Sequence, residues 1–275
     1  MTSASPLVSI IISSYNHEKY IIDTLDSIYY DSYPNKELLI IDDGSTDGTT
    51  KKIKEWIFSK KEEITIFFKE GTNRGITKNL NELISLANGE YICGLASDDI
   101  LFDNGIQERI NYLISNKDKL AVIGDSTVID DTGKEIHKSC LRDYFKVDIE
   151  QYSTNQGIRN QVILHWAIAG PTFLAKRSLY SEENMIYNES LIGEDWDFAL
   201  KLVSKNLLGY IDVKVGAYRL HSTNTSRVKE FEILKDRIKT ICINLKFFNF
   251  FDKFKLVFIL LKLARFYIKK KLINK

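Results

Sequence analysis

The sequence predicts an α/β fold: a mainly parallel sheet flanked by helices, followed by a C-terminal amphipathic helical tail. Three observations predict it. From residue 7 to about residue 124, short apolar runs alternate with segments of about ten to fifteen residues in helical period, the rhythm of βαβ units. The apolar runs are continuous rather than alternating, as in strands covered on both faces. Polar clusters follow three of these runs, at the carboxyl ends where open α/β sheets bind ligands.

Taken in order, Leu7 to Ile12 reads as a buried strand, and Asn16 is placed to cap a helix running to about Tyr30. After the turn at Pro34, Glu37 to Ile41 is a second strand, ending in Asp42-Asp43-Gly44-Ser45-Thr46-Asp47. Gly44 permits a tight turn, and Asp47 can cap a helix through Lys51, Ile53 and Trp56. Ile64 to Phe68 is a third strand, and Gly75 to Asn88 a helix closed by Gly89. Tyr91 to Leu95 is a fourth strand, followed by Ser97-Asp98-Asp99. A helix from Gly105 to Ser115 and a strand from Leu120 to Gly124 complete the regular part.

Beyond Gly124 the rhythm loosens. An apolar stretch from Val162 to Ile168 precedes Gly170-Pro171-Thr172, Gly193-Glu194-Asp195-Trp196-Asp197 opens a helix, and the segment Val215 to Ser226 follows. From Phe247 the chain is aromatic and basic. Lys255, Lys262 and Lys269 recur every seven residues with Arg265 beside them, and Phe247, Phe251, Phe254, Phe258 and Leu261 take another face. Charge divides the same way. Lys229 to Lys275 holds thirteen basic against four acidic residues, net +9, so in a chain of net +1 the first 228 residues carry −8. An acidic body argues against a nucleic-acid groove, which needs a broad basic surface.

Three scattered cysteines, Cys93, Cys140 and Cys242, do not make a disulfide framework, and without a CxxC pair a structural zinc site is not expected. The N-terminus lacks the basic start of a signal peptide, and no run reaches the roughly 18 uncharged apolar residues of a spanning helix. A reduced, cytoplasmic protein is expected. No GxGxxG, GxxxxGK[ST] or GxSxG occurs, which removes the main support for dehydrogenase, P-loop and α/β-hydrolase chemistry.

Two carboxylates side by side after a buried strand, as at Asp98-Asp99, repel unless a cation joins them, and oxygen ligands there suit Mg²⁺ or Mn²⁺. A solvated turn with a capping Asp is the other reading. Ser45, Thr46 or Asp47 can cap the helix that follows, so Asp42 and Asp43 read either as further capping acids or as acceptors for a base N–H or ribose hydroxyls. His221 reads equally as a structural histidine, and Glu194-Asp195 as acids favouring a helix N-terminus.

Together these pieces resemble the family 2 glycosyltransferases, an inverting family with the GT-A fold, and within it the bacterial surface-polysaccharide type. The resemblance is carried by Val8-Ser-Ile-Ile-Ile-Ser-Ser-Tyr-Asn16, Ile40-Ile-Asp-Asp-Gly-Ser-Thr-Asp47, Asn73-Arg-Gly75, Gly89-Glu-Tyr-Ile92, Ala96-Ser-Asp-Asp99, Glu194-Asp-Trp196 and Tyr218-Arg-Leu-His221. It covers most of the first 228 residues, and the tail lies outside it. It implies a sugar transferred from a nucleoside diphosphate, UDP being the expected one, to a hydroxyl of a glycan or lipid-linked acceptor. Ser13, Tyr15, Asp42, Asp43, Arg74 and Asp98 would form the donor site, with Asp42 supporting its loop. Asp99 and His221 would hold a divalent metal, Mn²⁺ or Mg²⁺, although the DxD-type motif here reads Ser-Asp-Asp. Asp195 would be the catalytic base, its pKa raised by Glu194, and Glu194 and Trp196 would meet the acceptor, with Trp196 stacking on its sugar.

Residues 1–124 would then be the nucleotide-sugar half, 125–228 the acceptor-binding and catalytic half, and 229–275 the tail. The tail's pattern suits in-plane binding to an anionic membrane, giving a peripheral position on its cytoplasmic face, or packing on the core with solvated lysines. The competing functions are a non-catalytic nucleotide-sugar-binding or membrane scaffold, and a sugar-nucleotide pyrophosphorylase. The pyrophosphorylase reading lacks its Gly-rich basic loop, because Ser13-Ser14-Tyr15-Asn16 stands in that place.

Overall fold

A computed structural model describes residues 5–60, 63–165, 168, 170–224 and 230–273. Trp166 and Ala167 of the apolar stretch, and Thr225 and Ser226 after Val215, lie outside the described residues. The first half runs β1 (Val8–Ser14), α1 (Ile21–Tyr30), β2 (Lys36–Asp42), α2 (Thr49–Lys60), β3 (Thr65–Glu70), α3 (Ile76–Leu86), β4 (Tyr91–Gly94), β5 (Ile100–Leu101) and α4 (Gly105–Ser115). The second continues with β6 (Ala121–Ile129), β7 (Glu135–His137), α5 (Asn155–His165), β8 (Phe173–Lys176), α6 (Ser178–Ser181), α7 (Glu194–Ser204) and β9 (Leu208–Arg219). Two helices close the chain, α8 (Glu230–Asn244) and α9 (Phe250–Ile273).

The strands form one sheet in the order β3-β2-β1-β4-β8-β6-β9-β5, with β7 on β6. β3, β2, β1 and β4 are all parallel, as the βαβ rhythm requires. Past β4 the sheet is mixed. β8 enters antiparallel between β4 and β6, and β6 and β9 then pair in parallel. β6 runs across the 124/125 boundary, so the two halves share one sheet.

Continuous apolar strands follow from this layering, because alternate residues of one strand serve two cores. Ile10, Ile12, Leu38 and Ile40 pack against Leu25 of α1, Ile53 of α2 and Ile110 of α4. Ile11, Leu39 and Ile41 belong to the opposite core, with Leu83 of α3, Val162 of α5 and Leu200 of α7. Each such fully buried side chain contributes roughly 1.5 to 3 kcal/mol.

Two expected caps are replaced by other devices. Asn16 does not cap α1. It sits in a left-handed conformation (φ 53°), and its side-chain oxygen accepts from the Thr46 N–H at 2.8 Å, tying the loop after β1 to the loop after β2. Gly89 does not close α3, whose C-cap is Ala87; it is small because a Cβ there would lie 2.5 Å from the Ser9 backbone nitrogen. Asp47 does cap, accepting from the Thr49 N–H at 3.0 Å, and Gly44 does make the tight turn, with φ +78° and the Asn73 nitrogen 2.9 Å from where a Cβ would stand. Among the described residues no helix is long and apolar enough to cross a membrane.

Candidate active site

Because β2, β1 and β4 are neighbours and parallel, their carboxyl ends bring residues 13–17, 42–48 and 95–99 to one edge of the sheet. Buried Asp42 accepts from Ser14 Oγ at 2.8 Å, from the Ser45 N–H at 2.8 Å and from Ser45 Oγ at 2.7 Å. It holds the turn through Gly44. Asp43 is buried too, and its two oxygens accept the N–H groups of Arg74 at 2.9 Å and Gly75 at 3.0 Å, fixing the turn into α3. A carboxylate has about four lone-pair positions, so Asp43 keeps accepting capacity. Arg74 Nε donates to Asn79 Oδ1 at 2.6 Å, its guanidinium pairs with Glu82, and Asn79 Nδ2 donates to Ser13 Oγ at 3.2 Å. Ser13, Asp43 and Arg74 are thus linked through buried Asn79, which the sequence reading did not single out. Tyr15, 43% exposed, follows at the open end of β1.

The second cluster lies at the end of β4. Asp98 Oδ2 is 2.8 Å from His221 Nε2 and 3.9 Å from His17 Nε2. The outer ring nitrogens are held as well: His221 Nδ1 lies 2.7 Å from Thr223 Oγ1, and His17 Nδ1 lies 2.7 Å from Ser97 Oγ. One ligand atom from each of His17, Asp98 and His221 lies within 4.8 Å of the others, a spacing at which the three could hold one metal ion. Burial lowers the His17 pKa, with Asp98 opposing, and a neutral imidazole is the form that binds metals.

Here the geometry separates the two neighbouring aspartates. Asp99, assigned to the metal, turns away from the histidines. Its Oδ1 accepts the Arg219 N–H at 2.8 Å, and its Oδ2 is buried with no hydrogen-bond partner among the described residues, 2.9 Å from where a Cβ on Gly170 would stand. Burial first, and Asp98 second, push the Asp99 carboxyl well above the usual range. The carboxylate facing the imidazoles is Asp98, which the resemblance places in the donor site. Arg219, fully buried at the end of β9, fixes this arrangement: its Nε donates to the Asp98 carbonyl at 2.8 Å and its Nη2 to Asp23 at 3.1 Å. Neither His17 nor Arg219 had been given a role.

The third group heads α7. Thr77 Oγ1 donates to the Leu191 carbonyl at 3.2 Å and Asn81 Nδ2 to that of Tyr187 at 3.0 Å, so the loop before α7 is tied to α3. Asp195 is exposed, and its Oδ1 accepts the Trp196 N–H at 2.8 Å. Trp196 is 1% exposed and donates its indole N–H to the Val162 carbonyl at 2.9 Å. The resemblance sets Trp196 against the acceptor sugar; in the fold it is a buried residue that anchors α7. Arg237 of α8 lies over the Trp196 ring at 5.4 Å, and burial lowers its pKa while Asp195 opposes.

Glu194 is buried, and burial, followed by the neighbouring Asp195 charge, raises its pKa to about 8. An acid with a raised folded-state pKa binds a proton that the unfolded chain has already lost. Its contribution to stability is therefore full below about pH 4.5 and disappears as the pH rises toward about 8. Glu194→Gln is expected to flatten the fall in stability over that window, a difference on the order of a few kcal/mol in unfolding free energies from urea titrations at acid and alkaline pH. An unchanged slope would contradict the buried neutral acid.

Residues 9–182 match the family described as Glycosyl transferase family 2. The chain belongs to glycosyltransferase family 2. It is 27% identical over 237 residues to an uncharacterised glycosyltransferase of Haemophilus influenzae, covering 82% of this chain and 69% of that one. With an uncharacterised glycosyltransferase of Rickettsia typhi it shares 31% over 240 residues, covering 84% and 70%. It spans only 29% of a similar Rickettsia bellii protein. Among solved structures, Staphylococcus aureus TarS 1–349 in complex with UDP-GlcNAc superposes with a TM-score of 0.66 at 18% identity, over 86% of this chain and 66% of that one. The mannosyltransferase PcManGT of Pyrobaculum calidifontis, in complex with GDP-Man and Mn²⁺, gives 0.64 at 18%, over 89% and 65%. The fold is GT-A, as the sequence resemblance implied. Family 2 membership makes the chain a glycosyltransferase.

Proposed function

We propose that this family 2 chain transfers a sugar from a nucleoside diphosphate, a UDP-sugar in the first instance, to a hydroxyl of a glycan or lipid-linked saccharide, with inversion, in polysaccharide assembly. The observation that carries the reading is Asp98 set between two imidazoles at the carboxyl edge of a parallel sheet. The donor set fits a divalent metal. One carboxylate and two imidazoles suit Mn²⁺ better than Mg²⁺, which prefers oxygen ligands. Asp98, His17 and His221 would hold it, and when bound it supplies positive charge against a diphosphate.

The residues of this chain do the rest. Ser13, Tyr15, Asp43 and Arg74 line the nucleotide end, with Asp42 holding the loop that carries Asp43. Asp195, exposed at the head of α7, takes the proton from the acceptor hydroxyl as its oxygen attacks the anomeric carbon. The bond from that carbon to the diphosphate oxygen breaks in the same displacement, and the nucleoside diphosphate leaves with the electron pair. One displacement inverts the centre and needs no sugar–enzyme bond. The donor nucleotides in complex with TarS and PcManGT support this class of substrate.

The test follows donor turnover by proton NMR with UDP-, GDP- and dTDP-sugars, with and without Mn²⁺. Expected is metal-dependent release of one nucleoside diphosphate, with the opposite anomeric configuration in the sugar product. Retention of configuration would overturn the single displacement, and no turnover of any donor would overturn the reading.

A further inference from the structure

The last helix has two apolar faces where a surface helix has one. Its inner face is packed: Leu256 and Ile259 are buried in the core, and Asp252 pairs with Arg159 of α5 at 3.1 Å and with Lys255 at 2.9 Å. Tyr267 stacks on Phe231 of α8 with ring centroids 4.9 Å apart, so the far end is held as well. The outer face therefore does not belong to the core of this chain. It presents Phe250, Phe251 and Phe254 at 78%, 77% and 71% exposure, with Phe258, Leu261 and Ile268 continuing the stripe. At helical spacing these six lie within about a third of the circumference. Lys253 and Lys262 flank them, and Arg265 and Lys269 follow in the distal turns beside Leu261 and Ile268, all four exposed; Lys262 lies 4.4 Å over the Phe258 ring.

We propose that this outer face of α9 docks in the plane of an anionic lipid bilayer, the phenyl rings entering the interface and the basic rim meeting lipid phosphates. Charge selects the occupant. The core of a protein interface is depleted of lysine, whereas an apolar stripe edged by Lys and Arg is the composition of an interfacial helix. The basic tail on an acidic body also orients the molecule, since the surface that attracts α9 repels the rest. Because α8 bridges α9 to Trp196 at the head of α7, docking would hold the site at a fixed place relative to the bilayer, where a lipid-linked acceptor presents its hydroxyl. The docking itself does not depend on the transfer reading.

The experiment is co-sedimentation of the whole chain with vesicles of phosphatidylcholine alone or with about one-third phosphatidylglycerol. Binding is expected to the anionic vesicles only. It should fall about tenfold or more at high salt, in the triple variant Phe250→Ser/Phe254→Ser/Phe258→Ser and in Lys262→Glu/Arg265→Glu/Lys269→Glu. Thermal melting and nucleotide binding should stay unchanged, since none of these residues packs in the core or lines the site. No binding, equal binding to neutral vesicles, or binding undiminished in either variant would overturn the proposal. So would concentration-dependent self-association abolished by the Phe variant without vesicle binding, which would assign the face to a second copy. Any of these failures would leave the nucleotide site standing, because nucleotide binding is read separately on the same protein.

Discussion

Asp195→Asn is expected to lower transfer by about a thousandfold while nucleotide affinity changes by less than about twofold. The amide keeps the shape of the carboxylate and can still accept the Trp196 N–H seen at 2.8 Å, so the head of α7 keeps its geometry. What is lost is the ability to take a proton. Because the loop before α7 is held to α3 through Thr77 and Asn81, the substitution leaves the support of the donor site untouched. Single-turnover rates measured beside equilibrium nucleotide binding separate the two effects. A variant that transfers at the normal rate would remove Asp195 from the role of base, and one that also loses the nucleotide would make it a binding residue.

The second large effect separates two adjacent acids. Asp98→Asn is expected to weaken metal binding at least about a hundredfold, because the carboxylate between the two imidazoles loses its charge and one of its acceptors. Asp99→Asn is expected to leave metal affinity within about threefold and to act on the fold instead. Its carboxyl serves the Arg219 backbone and a buried wall at Gly170, and an amide fills that space at a modest cost. Mn²⁺ titrations of the two variants, read with their melting temperatures, decide the matter. If Asp99→Asn abolishes metal binding and Asp98→Asn does not, the cluster described here is not the metal site.

Legibility in the sequence followed the range of the interactions. The parallel first half was readable because it is built from local signals: apolar runs, Asp47 capping α2 and Gly44 turning the chain. Which of two neighbouring aspartates faces the site was not. That choice is made by the Arg219 N–H, which captures Asp99 from 120 residues away. His17 stayed silent for the same reason, since its meaning comes from His221, which joins it only through the fold. Trp196 was readable in principle. Trp196, Ala199, Leu200 and Val203 share one apolar helical face, which turns the indole inward and leaves Asp195 out. The mixed second half gave few signals because β9 carries Asp212 and Lys214 within a strand that is exposed there, and β8 is only four residues long.

The measurement closest to the central claim is titration calorimetry of the purified chain with UDP, GDP, dTDP and CMP, each with and without Mn²⁺, repeated on Asp98→Asn. One nucleoside diphosphate is expected to bind in a metal-dependent manner, and Asp98→Asn to lose this binding. Failure of every nucleotide to bind the folded protein, or metal-independent binding that Asp98→Asn leaves intact, would contradict it.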